Sequence, residues 1–84
     1  MSQKEKALKR LQGKPKDLSW GELENVLKIL GYFRRRSGKT GGSRVRFVHQ
    51  TNPPIILHQP HPGNIIKQYV INDLLDQFEK EGWL

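Results

Sequence analysis

The segment from residue 31 to residue 49 constrains the fold more than any other part of the chain, because an alternating pattern lies beside a glycine-rich connector. Val45 and Phe47 alternate with Arg44 and Arg46, and this period of two is typical of a β-strand with one buried face. A second short run, residues 32–36, precedes it across a connector that contains three glycines. Two extended runs joined in this way predict a β-hairpin with a long loop.

Two amphipathic segments flank this hairpin. In the first, Ser19 is a good N-cap with Glu22 three residues later, and apolar residues then repeat at helical spacing: Leu23, Val26, Leu27 and Leu30. The second stripe lies near the C-terminus: Ile71, Leu74, Leu75 and Phe78. We expect Gly31 and Gly82 to end these helices, and Trp83 and Leu84 to fold back onto the core.

The remaining segments complete a small domain. Residues 3–12 predict a short helix, residues 55–58 a third strand between prolines, and residues 64–69 an extended connector that leads to a helix from about Val70. The order (α)αβββα predicts an α+β fold, a two-layer sandwich with helices on one face of a three-stranded antiparallel sheet. We predict one domain over residues 17–84, preceded by a basic segment over residues 1–16.

The sheet is expected to have an apolar and a basic face. We expect Phe33, Val45 and Phe47 to point toward the helices. The opposite face would then carry four arginines outward: Arg34, Arg36, Arg44 and Arg46.

Charge is distributed unevenly along the 84 residues. The net charge is +7, and residues 31–50 hold six Lys and Arg side chains and no acid. Clustered basic residues are the electrostatic footprint of a nucleic-acid-binding protein. There is no cysteine, and no apolar run suits a signal peptide or a membrane span, so we expect a cytoplasmic protein without membrane contact.

Few chemistries suit the polar residues. The histidines, His49, His58 and His61, lack the spacing and acidic neighbours of a metal site, and Gly38-Lys39-Thr40 lacks the upstream glycine of a phosphate-binding loop, so we expect no metal and no cofactor. RNA cleavage by its own 2′-hydroxyl needs only a proton acceptor, a cation and a proton donor. Histidine and arginine suit these roles, although the pattern favours an ordinary polar position for any one histidine taken alone.

Several short motifs, taken in order, resemble the HicA toxins of bacterial HicA–HicB toxin–antitoxin systems. They are Leu27-Lys-Ile-Leu-Gly-Tyr32, Arg35-Arg36, Gly42-Ser43-Arg44-Val45-Arg46-Phe47, Pro60-His61 and Val70-Ile-Asn-Asp-Leu-Leu75. The resemblance covers about residues 17–82. It implies a fold like a double-stranded-RNA-binding domain and an endoribonuclease that cleaves mRNA, inhibits translation and is neutralised by a HicB-like antitoxin.

One position departs from the family pattern. The family typically has a catalytic histidine after Gly-Ser, where this chain has Arg44, and an arginine side chain stays protonated and cannot act as a general base. We therefore predict His61, with His58 as the second choice, as the acid–base group and Arg44 as the cation at the phosphate. RNA would be bound by Arg34, Arg36, Lys39, Ser43, Arg44 and Arg46. If neither histidine acts, His49, Tyr32 and Ser43 remain as proton acceptors; the alternative function is a non-catalytic nucleic-acid-binding or protein-interaction module.

Overall fold

The computed structural model of the chain describes residues 2–36, 44–60 and 63–84, and for Arg36 only the backbone. In this part of the chain there are three helices, α1 (Gln3–Gln12), α2 (Trp20–Ile29) and α3 (Gln68–Lys80), and three strands, β1 (Phe33–Arg36), β2 (Arg44–Val48) and β3 (Ile55–His58). The strands lie in the order β1-β2-β3, and both neighbouring pairs are antiparallel. The predicted α+β class and element order are confirmed, while the likeness to a double-stranded-RNA-binding domain stays a prediction.

Serine caps begin the first two helices. The Ser19 hydroxyl accepts a hydrogen bond from the backbone N–H of Glu22 at 3.1 Å, as the sequence predicts. Ser2 does the same for Glu5 at 3.2 Å at the start of α1. These caps satisfy backbone donors that have no partner inside the helix, so the local sequence determines where both helices begin.

Glycines with positive φ follow α2 and α3 and reverse the chain in the same way. After α2, Gly31 has φ +98°, and the N–H of Tyr32 donates to the carbonyl of Leu27 at 2.9 Å. After α3, Gly82 has φ +84°, and the N–H of Trp83 donates to the carbonyl of Phe78, also at 2.9 Å. This is the Schellman arrangement, and it turns Tyr32 and Trp83 back toward the body of the protein.

The core lies between the helices and one face of the sheet. It includes the apolar stripes of α2 and α3 together with Val45, Phe47, Ile55 and Leu57 from the sheet. Helix α1 contributes Ala7, Leu8 and Leu11 to the same core, so the first residues of the chain pack against the rest. The division into a segment 1–16 and a domain 17–84 stays a prediction.

Two local expectations differ from the structure. Helix α3 begins at Gln68, two residues before the predicted start. The sequence does not indicate this start, because the N-cap residue is Lys67, whose side chain makes no capping hydrogen bond. Trp83 packs against the core as expected, but the prediction for Leu84 is wrong, since 40% of its surface is exposed. The connector at residues 64–66 is extended, and it is held to the start of α2 by hydrogen bonds from Trp20 N to Asn64 O and from Ile66 N to Leu18 O.

Candidate nucleic-acid interface

Strand register determines which side chains point away from the helices. Residues opposite each other in an antiparallel pair share a face, so Val45 and Phe47, both buried, place their partners on the helix side. The remaining positions form the outer face, which consists of Phe33, Arg35, Arg44, Arg46, Val48, Ile56 and His58. The outer face therefore carries three arginines, one histidine and no carboxylate.

Arg35 and Arg46 are the central cationic pair of the outer face. Both side chains are exposed, and the two residues are directly opposite each other across β1 and β2. Neither forms an ion pair within the described residues. Like charges directly opposite each other destabilise a sheet, so an anion bound between the two guanidinium groups would be favourable.

Arg34 does not point outward, and this expectation was wrong. It is the partner of Phe47 and lies on the helix side of the edge strand, where its Nη1 donates to Oε1 of Glu24 at 2.6 Å. The backbone of Arg36 pairs with Val45, so Arg36 is at a position on the same face of the strand as Arg34. The error is a shift of one residue in β1, because Tyr32 and Phe33 are both aromatic and either could have been the inward residue.

Phe33 is the second consequence of the same shift. It was expected in the core, but it lies on the outer face opposite Val48, and 64% of its surface is exposed. Tyr32 takes the buried position instead, with 2% exposed. The Schellman turn after α2 directs Tyr32 inward, and Phe33 must then point to the other side of the strand.

The predicted site residues fall into three groups. Arg44 and Arg46 are exposed on the outer face, and Arg44 lies directly opposite His58. Arg34 is on the other side of the sheet, and Lys39, Ser43 and His61 lie outside the described residues, as does the side chain of Arg36. Sequence reasoning missed Arg35, because Arg35 shares a face of β1 with Phe33, which was expected in the core.

His58 is at the end of β3, where the sheet meets α3. It is exposed, and it contributes to the walls of two cavities, of about 240 and 300 Å³, that flank the edge of the sheet. Tyr69, 62% exposed on the first turn of α3, lines both cavities as well. His58 is thus reachable from the outer face and from the edge of the sheet.

His49 has a structural role. Its Nδ1 accepts hydrogen bonds from the backbone N–H groups of Thr51 and Asn52, at 3.1 and 3.2 Å, and its Nε2 lies 3.2 Å from the carbonyl of Leu30. Since Nδ1 is the acceptor, Nε2 must carry the proton and donate it to that carbonyl. Both ring nitrogens are committed, so His49 is poorly suited to accept a proton from a substrate.

Tyr32 and Trp83 enclose the His49 ring. The ring centroids of Tyr32 and His49 are 4.8 Å apart, and those of His49 and Trp83 are 5.8 Å apart in an edge-on arrangement. The Tyr32 hydroxyl donates to Oε1 of Glu81 at 3.0 Å. Burial raises the pKa of Tyr32 above 10.0, and the hydrogen bond to the Glu81 carboxylate adds to this effect, while Asn52 opposes it. Tyr32 is therefore a packing residue and a poor proton acceptor.

The described residues contain no cluster of three His, Asp or Glu side chains that could hold a metal ion. Within the same part of the chain, none of the helices combines the length and the apolar character needed to cross a bilayer.

The architecture defines a class of protein: a small basic α+β domain in which helices cover one face of the sheet and the other face carries arginines. The family model described as HicA toxin of bacterial toxin–antitoxin matches residues 20–82. The match spans most of the chain, and the chain belongs to the HicA toxin family, whose members pair with an antitoxin. No curated protein and no solved structure matches the chain.

Proposed function

We propose that the protein binds RNA on the outer face and cleaves it without a metal, as a toxin that inhibits translation. The observation that carries the proposal is the composition of that face, with Arg35, Arg44, Arg46 and His58 and no carboxylate. Arginines hold phosphates through charge-assisted, often bidentate hydrogen bonds. Arg10 and Arg34 form ion pairs with acids, whereas Arg35 and Arg46 form none within the described part of the chain, and this contrast supports the outer face as the phosphate-binding one.

The proposed reaction is cleavage by the 2′-hydroxyl of the RNA itself. A general base removes the 2′-hydroxyl proton, O2′ forms a bond to the neighbouring phosphorus, and the bond from phosphorus to the 5′-oxygen breaks. A proton donor protonates the leaving 5′-oxygen, which yields a 2′,3′-cyclic phosphate and a 5′-hydroxyl. Guanidinium groups would stabilise the extra negative charge on the phosphorane.

The position of Arg44 supports a division of these roles. Arg44 stands where the family resemblance implies a catalytic histidine, and His58 is its direct cross-strand partner. Opposite residues in a sheet have Cβ atoms about 4.5–5.5 Å apart, so the two side chains can reach one phosphodiester. We assign the acid–base role to His58 and the binding of the phosphate to Arg44 and Arg46. His61 remains the alternative acid–base group, and Lys39 and Ser43 are proposed as further phosphate contacts.

A HicB-like antitoxin is the proposed partner. An acidic surface placed over the outer face would neutralise its arginines and block RNA at the same time. RNA as substrate also implies action in the cytoplasm.

The test is cleavage of a defined single-stranded RNA in EDTA. We expect a 2′,3′-cyclic phosphate product, and no cleavage when the scissile nucleotide is 2′-deoxy. His58→Ala should lower the rate about 10²–10⁴-fold while RNA binding is retained, as expected for loss of a general acid or base. Cleavage by His58→Ala at the wild-type rate would refute the assignment to His58, and His61→Ala would then be compared in the same assay.

A second function is a module that binds RNA or a protein partner without cutting. The observation that favours it is Arg44 at the position of the implied family histidine. Arg44→His separates the two functions. If this substitution creates cleavage in a protein that otherwise only binds, the natural chain is a binding module.

A further inference from the structure

Phe33 is the most exposed of the large apolar side chains in the described part of the chain, with 64% of its surface accessible. It is on the outer face, opposite Val48, and Arg35 lies two residues further along the same strand and on the same side. Removal of this apolar surface from water by a binding partner would be favourable. The register thus joins an exposed aromatic ring to the cationic pair of Arg35 and Arg46.

The spacing suits one segment of single-stranded nucleic acid. Residues i and i+2 of an antiparallel strand are about 6.8 Å apart, so a base could stack on the Phe33 ring while a neighbouring phosphate reaches the guanidinium groups. Proteins that bind single strands combine aromatic platforms with a basic track in this way. In a duplex the bases are stacked on each other, and the deep major groove of A-form RNA is closed to side chains.

We propose that the outer face selects single-stranded RNA, with a base stacked on Phe33 and the adjacent phosphate held by Arg35 and Arg46. The inference rests on the proposed function and adds to it the strandedness of the substrate and a residue that reads it. Charge favours RNA as the occupant, because the charged side chains on the face, Arg35, Arg44 and Arg46, are all cationic. Phe33 would be a positioning residue, since its ring makes no contact with the reacting atoms.

The test compares binding of a single-stranded RNA and of its duplex of equal length by fluorescence anisotropy. We expect tighter binding of the single strand, and Phe33→Ala to weaken that binding about 5- to 150-fold, the range found for loss of one base–aromatic stack. The salt dependence of binding should not change, because no phosphate contact is removed. Phe33→Leu, which keeps apolar area but no ring, should lose as much affinity as Phe33→Ala.

Two controls isolate stacking. Phe33→Trp should retain affinity and add tryptophan fluorescence that is quenched by RNA, and Leu84→Ala, an exposed apolar change away from the sheet, should bind as the wild type does. An RNA with abasic sites should abolish the difference between wild type and Phe33→Ala. Since Phe33 is exposed, thermal melting should show that all variants fold.

The outcomes separate the two levels of the proposal. Salt-sensitive RNA binding that is unchanged in Phe33→Ala and Phe33→Leu would overturn this inference and leave the proposed function standing. Preference for the duplex would also overturn it, as would a Phe33→Ala protein that releases a co-expressed antitoxin but binds RNA normally. No RNA binding by the wild type at low salt would refute the proposed function and the inference together.

Discussion

Substitution of Gly31 by alanine tests whether the turn after α2 and the His49 ring form one unit. Gly31 has φ +98°, and a Cβ built on it would lie 3.0 Å from Nε2 of His49 and 3.3 Å from Cδ2. The positive φ costs an L-residue about 1–2 kcal/mol. The ring must also shift, which weakens its hydrogen bond to the Leu30 carbonyl, worth about 0.5–1.5 kcal/mol.

These contributions predict that Gly31→Ala lowers the free energy of unfolding by about 1.5–3.5 kcal/mol. For a domain of this size each kcal/mol corresponds to about 4–8 °C in Tm. Urea unfolding followed by circular dichroism measures the change directly. An unaltered m-value would show that the loss belongs to the native state and not to a different unfolded ensemble.

Gly82→Ala is the matched control for Gly31→Ala. Gly82 ends α3 with a similar φ of +84°, but a Cβ there meets no atom of the described residues within 4 Å. Gly82→Ala should lose only the free energy that a positive φ costs an alanine. Gly31→Ala also weakens the His49 hydrogen bond, so it should be the more destabilising change by about 0.5–1.5 kcal/mol. Equal losses in the two variants would contradict the argument, because they would show that His49 moves aside at no cost.

Two further predictions concern Tyr32 and the arginines. Because burial raises the pKa of Tyr32 above 10.0, the folded protein holds the phenolic proton more tightly than the unfolded chain does. The stability that this group contributes is therefore complete below about pH 10, the pKa of the unfolded chain, and is lost as the pH rises further, through the higher pKa of the folded protein. Because Tyr32→Phe lacks this group, its free energy of unfolding should fall less steeply with alkaline pH than that of the wild type; parallel alkaline curves would refute this. For RNA binding, Arg46→Gln should reduce the log–log salt slope by about 0.7, whereas Arg34→Gln, which removes a cation already paired with Glu24, should leave it unchanged; equal effects would show that the outer face is not the phosphate-binding surface.

Local signals in the chain were sufficient for most of the secondary structure. Ser19 with the stripe of α2 predicted the start and the buried face of that helix, and Gly31 and Gly82 predicted where two helices end. These signals are reliable because caps and left-handed glycines act within a few residues, so their physics is contained in the sequence around them. The start of α3 was missed where no such cap exists.

Only some of the candidate site residues could be predicted from the sequence. The composition and alternation of β2 predicted that Arg44 and Arg46 lie outward and Val45 and Phe47 inward, and the register agrees. In β1 the pattern was ambiguous, because aromatic residues stand at both parities. The pattern therefore predicts Arg34 on the outer face, where the structure has Arg35, and Phe33 in the core, where the structure has Tyr32.

The amino-acid sequence by itself determined the α+β class, the helix caps, the basic hairpin and membership of the HicA toxin family. Only the tertiary structure decided that Arg34 forms an ion pair and that Arg35 faces Arg46, because this depends on Glu24 of α2 lying beside Arg34 and on the register of β1 with β2. The structural role of His49 likewise requires the ends of two helices, through Tyr32 and Trp83, to meet at one ring. The physical reason is that the side-chain period of a strand is two, so a shift of one residue reverses both faces, and only packing against distant elements selects between the two arrangements.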